Sequence, residues 1–227
     1  MQKPPVITID GPSGTGKGSV AKAVADRLGF ALLDSGALYR TLGIAVLRHG
    51  IALEEPQLIA DLALKLDIEF GRNGPDSVCL DGVDVSQAIR TEQGSDMASR
   101  VGSIALARSA LLQRQLNFRK PPGLVADGRD MGTVVFPDAQ VKIFLTASAE
   151  ERAQRRYKQL IGKGIDAILP DLLRDLQERD ERDSLRPISP LKPAEDATIL
   201  DTTKLDLAQV IEQVMTLVSG KLPGLNL

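Results

Sequence analysis

The chain has 227 residues carrying 28 basic and 30 acidic side chains, a formal net charge of −2, and a pI of about 5.6. That balance excludes a generally basic nucleic-acid binder, and aromatic residues at 3% offer little stacking surface for single strands. The lone Cys79 rules out an internal disulfide or a cysteine-built metal cluster and points to a reducing compartment, while the lone His49 gives no basis for a histidine-ligated zinc. Val6 to Ile9 is too short for a signal-peptide core and no apolar run approaches a membrane span, so a cytoplasmic protein without membrane contact is expected.

In chain order, the first apolar run is Val6-Ile7-Thr8-Ile9, ending at Asp10. A helix is expected from Lys17 to Leu28, with Val20, Val24 and Leu28 at i, i+4 and i+8 and Gly29 as its stop. Ala31-Leu32-Leu33 comes next and ends at Asp34. From about Asp67 to Ser86 the pattern changes to period-2 alternation around the turn residues Gly71 to Asp76, which predicts a small antiparallel insert. Leu124-Val125-Ala126 ends at Asp127, and Val141 to Leu145 ends at Thr146. Ser148 and Glu151 form an S-x-x-E signature that starts a helix running to about Gly162-Lys163-Gly164. Another helix begins near Pro170 with Leu172, Leu173 and Leu176 on one face. Thr198-Ile199-Leu200 ends at Asp201, and Val210, Ile211, Val214, Leu217 and Val218 make a core stripe on the last helix.

Five short apolar runs separated by helix-sized crossovers predict an α/β fold with a five-stranded parallel sheet covered on both faces. Ligands in such sheets bind outside the carboxyl ends of the strands, and four of the five runs end in aspartate. No repeat, low-complexity tract or linker divides the chain, so one domain over 1–227 is expected, with the β insert at about 67–86 inside it.

Gly11-Pro12-Ser13-Gly14-Thr15-Gly16-Lys17 matches G-x-x-x-x-G-K between a strand and a helix. Its glycines permit torsions that turn successive N–H groups around an anion, and the helix adds its positive end. Lys17 supplies a charge that tracks the β- and γ-phosphates during transfer. Gly18 stands where a Ser or Thr would ligate Mg²⁺, and Ser19 comes one later. Mg²⁺ is therefore expected on phosphates and water. Asp127 then has two readings: a carboxylate reaching that ion through water, or a cap of a helix or turn.

The chain has 17 Arg, 7 of them between Arg152 and Arg186. Arg152, Arg155 and Arg156 share one helix face, and Arg179, Arg182 and Arg186 share another. Two arginine-bearing helices around the glycines at 162 and 164 look like a lid over 148–186 for a phosphoryl group. The competing reading is a salt-bridged surface with Glu150, Glu151, Glu178, Asp180, Glu181 and Asp183. Asp127-Gly128-Arg129-Asp130-Met131-Gly132-Thr133 puts a cation and two carboxylates at a strand end, suiting an acceptor that carries a phosphate and hydrogen-bond donors. Asp34-Ser35-Gly36-Ala37-Leu38-Tyr39-Arg40 adds a hydroxyl, an arginine and an aromatic ring that either stacks on a base or packs.

Together Gly11 to Ser19, Leu33 to Arg40, Ala126 to Thr133 and Glu178 to Arg186 resemble the bacterial cytidylate kinases, of the nucleoside monophosphate kinase type within the P-loop NTPases. The resemblance spans the whole chain, and Gly18 is normal for monophosphate kinases. It implies ATP-dependent phosphorylation of CMP and dCMP with Mg²⁺, in an enzyme expected to be a monomer, with an acceptor-binding region over 35–100. It implies that residues Gly11, Pro12, Ser13, Gly14, Thr15, Gly16, Lys17, Gly18 and Ser19 hold ATP, and that Arg152, Arg156 and Arg182 face its phosphates. Ser35, Arg40, Arg129 and Arg186 would surround the acceptor phosphate, with Tyr39 beside them, and Arg179 and Asp183 would reach the ribose. Ser99, Arg108 and Asp130 would read the pyrimidine; for Ser99 and Arg108 the competing reading is an ordinary helix surface. Lys17, Arg129, Arg182 and Asp127 are the expected catalytic set. The alternatives are a kinase for UMP, AMP, shikimate or another small acceptor, and an ATP-binding switch with no acceptor.

Overall fold

The computed structural model describes residues 3–74, 76–162, 164 and 166–224. Its contacts divide the chain into two compact units, Ser35–Leu116 forming one and the segments before and after it forming the other. In chain order the elements are β1 (Val6–Asp10), α1 (Lys17–Leu28) and β2 (Ala31–Asp34); then α2 (Ser35–Arg48), α3 (Pro56–Lys65), β3 (Ile68–Phe70), β4 (Val78–Leu80), β5 (Val83–Asp84), α4 (Glu92–Gly102) and α5 (Ala105–Leu116); then β6 (Leu124–Gly128), β7 (Val141–Thr146), α6 (Ala149–Ile161), α7 (Leu169–Leu185), β8 (Thr198–Asp201) and α8 (Leu207–Lys221).

In the first unit five strands form one parallel sheet in the order β2-β6-β1-β7-β8. The order reflects side-chain pattern. β1 and β6 are buried at every residue and sit inside, whereas β8 alternates half-buried with exposed and forms an edge. β1 pairs with β6 from Val6↔Leu124 to Asp10↔Gly128, and with β7 from Ile7↔Val141 to Asp10↔Phe144. Ile7, Ile9, Val125, Ile143 and Leu145 on the strands pack with Val20 and Val24 of α1 and with Val210, Val214 and Val218 of α8. Leu217, expected in that stripe, is only half-buried. Gly29 ends α1 in the left-handed conformation with its N–H on the Ala25 carbonyl, as a helix stop requires. Ser148 caps α6 by accepting the Glu151 N–H at 3.2 Å, and Asp206 with Gln209 forms a reciprocal capping box on α8.

The second unit has its own core, including Leu38, Leu42 and Val46 of α2, Ile59 of α3, Leu80 of β4, Val101 of α4 and Leu111 of α5. Its antiparallel sheet β3-β4-β5 pairs Ile68↔Leu80, Phe70↔Val78 and Leu80↔Val83. The β4–β5 turn uses Asp81 and Gly82, both at positive φ, the chemistry of a tight hairpin. This is the inserted sheet that the alternation between Asp67 and Ser86 implied; Pro75 of its other turn lies outside the described residues, as does Lys163 at the α6 break.

α2 crosses α4 at Gly43, where a Cβ would lie 2.7 Å from the Met97 Cβ. Gly43→Ala should therefore overpack this crossing and cost about 1–3 kcal/mol, less the small helix-propensity gain of alanine. Urea unfolding monitored in the second unit checks this, with a lowered midpoint at unchanged slope expected.

Candidate functional site

The phosphate loop runs from the end of β1 into α1. Gly14 and Gly16 take φ values of 81° and 85°, torsions that side-chain-bearing residues resist. Space is as restrictive as torsion: a Cβ at Gly11 would lie 2.2 Å from the Leu145 carbonyl oxygen, and one at Gly14 would lie 2.9 Å from the Arg152 Cβ. Thr15 Oγ1 and Lys17 Nζ each donate to the Pro12 carbonyl at 3.1 Å, closing the loop on itself. Burial together with the positive charges of Arg129 and Arg179 lowers the Lys17 pKa to about 7, while Asp127 and Asp34 oppose that shift.

β6 delivers the second part of the site. Asp127 is buried, and its Oδ2 lies 3.2 Å from where a Cβ on Gly18 would stand. A serine or threonine at 18 would thus stand beside a carboxylate. With glycine at 18 and a carboxyl oxygen beside that position, the donor set suits a hydrated Mg²⁺ on bound phosphates. Asp127 belongs to the strand itself, with Asp34 of β2 as its register partner.

Beyond β6, Arg129 Nε donates to Asp183 Oδ2 of α7 at 3.0 Å. Burial pushes the Asp183 carboxyl up, but Arg129, Arg179 and Arg186 outweigh it and hold its pKa below the usual range. Arg179 Nη1 lies 3.5 Å from Ser13 Oγ, and Arg186, buried at the end of α7, donates to the Ser189 carbonyl. Asp130 is buried beside them in sequence, and Met131 to Val135 form a single π-helical turn that the sequence pattern did not suggest.

The two arginine-bearing helices behave less uniformly than their spacing implied. Arg152 is 5% exposed; its guanidinium donates to the Ser13 and Ala147 carbonyls, each at 3.1 Å, and pairs with Asp180 at 2.6 Å. Burial raises the pKa of Asp180 in spite of that partner. Arg155 pairs with Glu151 at 2.9 Å and also bonds the Thr15 and Thr202 carbonyls, tying α6 to the loop and to the end of β8. Arg156 and Arg182 are half-buried on α6 and α7. So the surface reading fits Arg155 in part, whereas Arg152 is an internal cation that braces the phosphate loop from behind. Spacing on one helix face did not reveal the role of Asp180, nor that of Asp10, which was visible only as a strand-end aspartate.

In the second unit Ser35 is buried in the first turn of α2 and Arg40 is half-buried one turn on. Tyr39 is buried, and the Arg108 guanidinium stands 5.4 Å from its ring centre. One face of that ring is therefore taken by an arginine of the same unit. Arg108, 8% exposed, also donates to the Gly102 carbonyl at 3.2 Å, and Ser99 is 5% exposed on α4. Neither is an ordinary surface residue, and a buried arginine held on an aromatic face is a pre-set hydrogen-bond fork.

Known proteins similar to this chain were found by family, by sequence and by fold. The family model described as cytidylate kinase matches residues 7–220. A cytidylate kinase of Azotobacter vinelandii is 54% identical over 222 residues, covering 96% of this chain and 97% of that one. One of Stutzerimonas stutzeri is 55% identical over 225 residues, covering 97% and 98%. Among solved structures, a shikimate kinase from Bacteroides thetaiotaomicron is 15% identical with a TM-score of 0.47, over 96% of this chain and 98% of that chain. Matched over nearly its whole length, and at more than half of its positions by full-length relatives, the chain belongs to the cytidylate kinase family.

Proposed function

We propose that this protein transfers the γ-phosphoryl group of ATP to CMP and dCMP, acting as a monomer in the cytoplasm. The observation that carries the reading is that the neighbouring parallel strands β1 and β6 send the loop leading to Lys17 and the segment carrying Arg129 out at the same sheet edge, where the charge of Arg129 helps to lower the Lys17 pKa. Two cations held together against their own repulsion suit two anions that must themselves be brought together. Residues 11–19 hold the donor phosphates. Arg129, Arg179, Asp183 and Arg186 in the first unit, with Ser35 and Arg40 in the second, take the acceptor's phosphate and ribose. Ser99 and Arg108 in the second unit and Asp130 in the first read the base, a serine or aspartate oxygen accepting from the 4-amino group that UMP lacks.

No general base is required. A phosphate monoester has a second pKa of about 6, so near neutral pH the attacking oxygen is already mostly anionic. The barrier is repulsion between polyanions and loss of alignment, and the positive groups above lower both. Asp127 is the residue that would hold a hydrated Mg²⁺ on the donor phosphates, and that ion would supply further neutralisation of their charge. The helices over 148–186 act as a lid: Arg156 and Arg182 face the donor while Arg152 holds the loop in shape, and closure excludes water as a competing acceptor.

Initial rates of ADP formation with CMP, dCMP, UMP, AMP or no acceptor test the substrate assignment. CMP and dCMP should far exceed the rest, and a rate independent of acceptor overturns the proposal in favour of an ATPase or switch. Arg129→Ala should fold normally and lose at least about 100-fold in kcat/KM, the scale of one removed charge-stabilising donor. Near-wild-type turnover in that variant would remove the acceptor-site assignment.

Lys17 gives a pH-dependent expectation with a definite sign. With its pKa lowered to about 7 in the free protein, the amine is mostly neutral at about pH 8, and bound triphosphate favours the charged form. ATP binding at that pH should take up close to one proton, read by calorimetry in buffers of different ionisation enthalpy. Lys17→Arg, permanently charged, should abolish the uptake.

A further inference from the structure

Asp10 ends β1, immediately before the phosphate loop, and is 5% exposed. Both of its carboxylate oxygens are used: Oδ1 accepts the Met131 N–H at 2.9 Å and Oδ2 accepts the Gly132 N–H at 2.8 Å. Those amides open the π-helical turn that comes after Arg129 and Asp130. The approach is tight, because a Cβ on residue 132 would lie 2.8 Å from Thr8 Oγ1, 3.3 Å from Lys142 Cδ and 3.4 Å from Asp10 Oδ2. Glycine at 132 is what lets the two amides reach the carboxylate.

This placement is costly. Burial, with Asp130 and Asp127 nearby, pushes the Asp10 carboxyl up to about 7 even though the two amides favour its ionised form. A neutral side chain would hold the turn with less desolvation, but a carboxylate offers a separate oxygen to each of the two consecutive amides and so fixes the turn in both position and rotation. The main chain on one side of the clamp leads straight into the loop that carries Lys17. On the other side it leads back through Asp130 to Arg129.

We propose that Asp10 is a positioning residue for phosphoryl transfer: it touches no substrate and sets Arg129 relative to the phosphate loop, so that the acceptor phosphate arrives in line with the donor. The proposal rests on the assignment of Arg129 to the acceptor phosphate, which the single variant Arg129→Lys tests by itself.

The experiment is a double-mutant cycle in the full-length enzyme with Asp10→Asn, Arg129→Lys and the pair. Asp10→Asn keeps the shape and loses one of the two acceptors. It should lower turnover by about 100-fold and raise the acceptor KM, because displacement of about 1 Å costs that much, while the Kd for an unreactive ATP analogue stays within about twofold. In the Arg129→Lys background most of that effect should vanish, since a guanidinium no longer there cannot be misplaced. A purely structural Asp10 would only reduce the fraction of active enzyme, leaving the acceptor KM unchanged and the two substitutions multiplicative; either result overturns the proposal. Gly132→Ala displaces the same amides from the other side with the carboxylate intact and should reproduce the raised acceptor KM; wild-type acceptor kinetics in Gly132→Ala also overturn it, even should Asp10→Asn fail to fold. Arg129→Lys with wild-type acceptor kinetics instead removes the premise, a result separable from additivity.

Discussion

Parallel pairing of β1 with β6 places Asp10 opposite Gly128, and the chemistry of the first unit depends on that register. Both strands are buried on both faces, so a slip of one residue would drive Thr8 and Asp10 to the positions of isoleucines and turn the isoleucines into the polar edge. The same pairing decides where the chain emerges from each strand. It leaves β1 as the phosphate loop and leaves β6 as the arginine loop, so two phosphate-directed segments emerge side by side at the edge where parallel sheets bind ligands.

What this edge must manage is charge. Lys17, Arg129, Arg179 and Arg186 are all drawn into one region, and their repulsion is offset by carboxylates of graded character. Asp183 is held strongly anionic by three arginines, Asp10 is pushed up by burial, and Asp180 is raised despite its pairing with Arg152. Arginines on α6 divide their work accordingly. Arg152 and Arg155 bond the carbonyls of Ser13 and Thr15, so the loop is held by side chains of α6. Bracing of this kind keeps the loop organised without requiring the anion to organise it, which is where preorganisation lowers a barrier.

The first unit was readable in the sequence because its signals are local. β-branched runs, a G-x-x-x-x-G-K loop and a serine cap each identify themselves within a few residues, and all five strands lie where those runs are. The second unit's three-stranded sheet was also readable, from period-2 alternation and turn residues between Asp67 and Ser86. Its helices were less so: α2 is buried along most of its length, which erases the amphipathic stripe that marks a helix against solvent. For Ser99 and Arg108 a helix surface stayed open as the competing reading for a related reason, since polar residue types say nothing about burial that is compensated by partners such as, for Arg108, the Gly102 carbonyl and the Tyr39 ring. Arg152, Arg155 and Arg156 share a face by spacing, yet the first two also bond carbonyls more than a hundred residues earlier, at Ser13 and Thr15, and Arg155 one some fifty later, at Thr202. No pattern along one helix reports such partners.

Gly18 shows how two departures in distant stretches become a single feature. A phosphate loop without a hydroxyl looks deficient when read alone, and an aspartate at the end of β6 looks like one polar strand end among several. In the fold the carboxylate of Asp127 stands beside the position a side chain at 18 would occupy, so the two stretches meet at one point. A serine at 18 would bring a hydroxyl within about bonding distance of that buried carboxylate and engage it in a hydrogen bond. The chemistry of residue 18 is therefore set by the end of β6 as much as by the loop it belongs to.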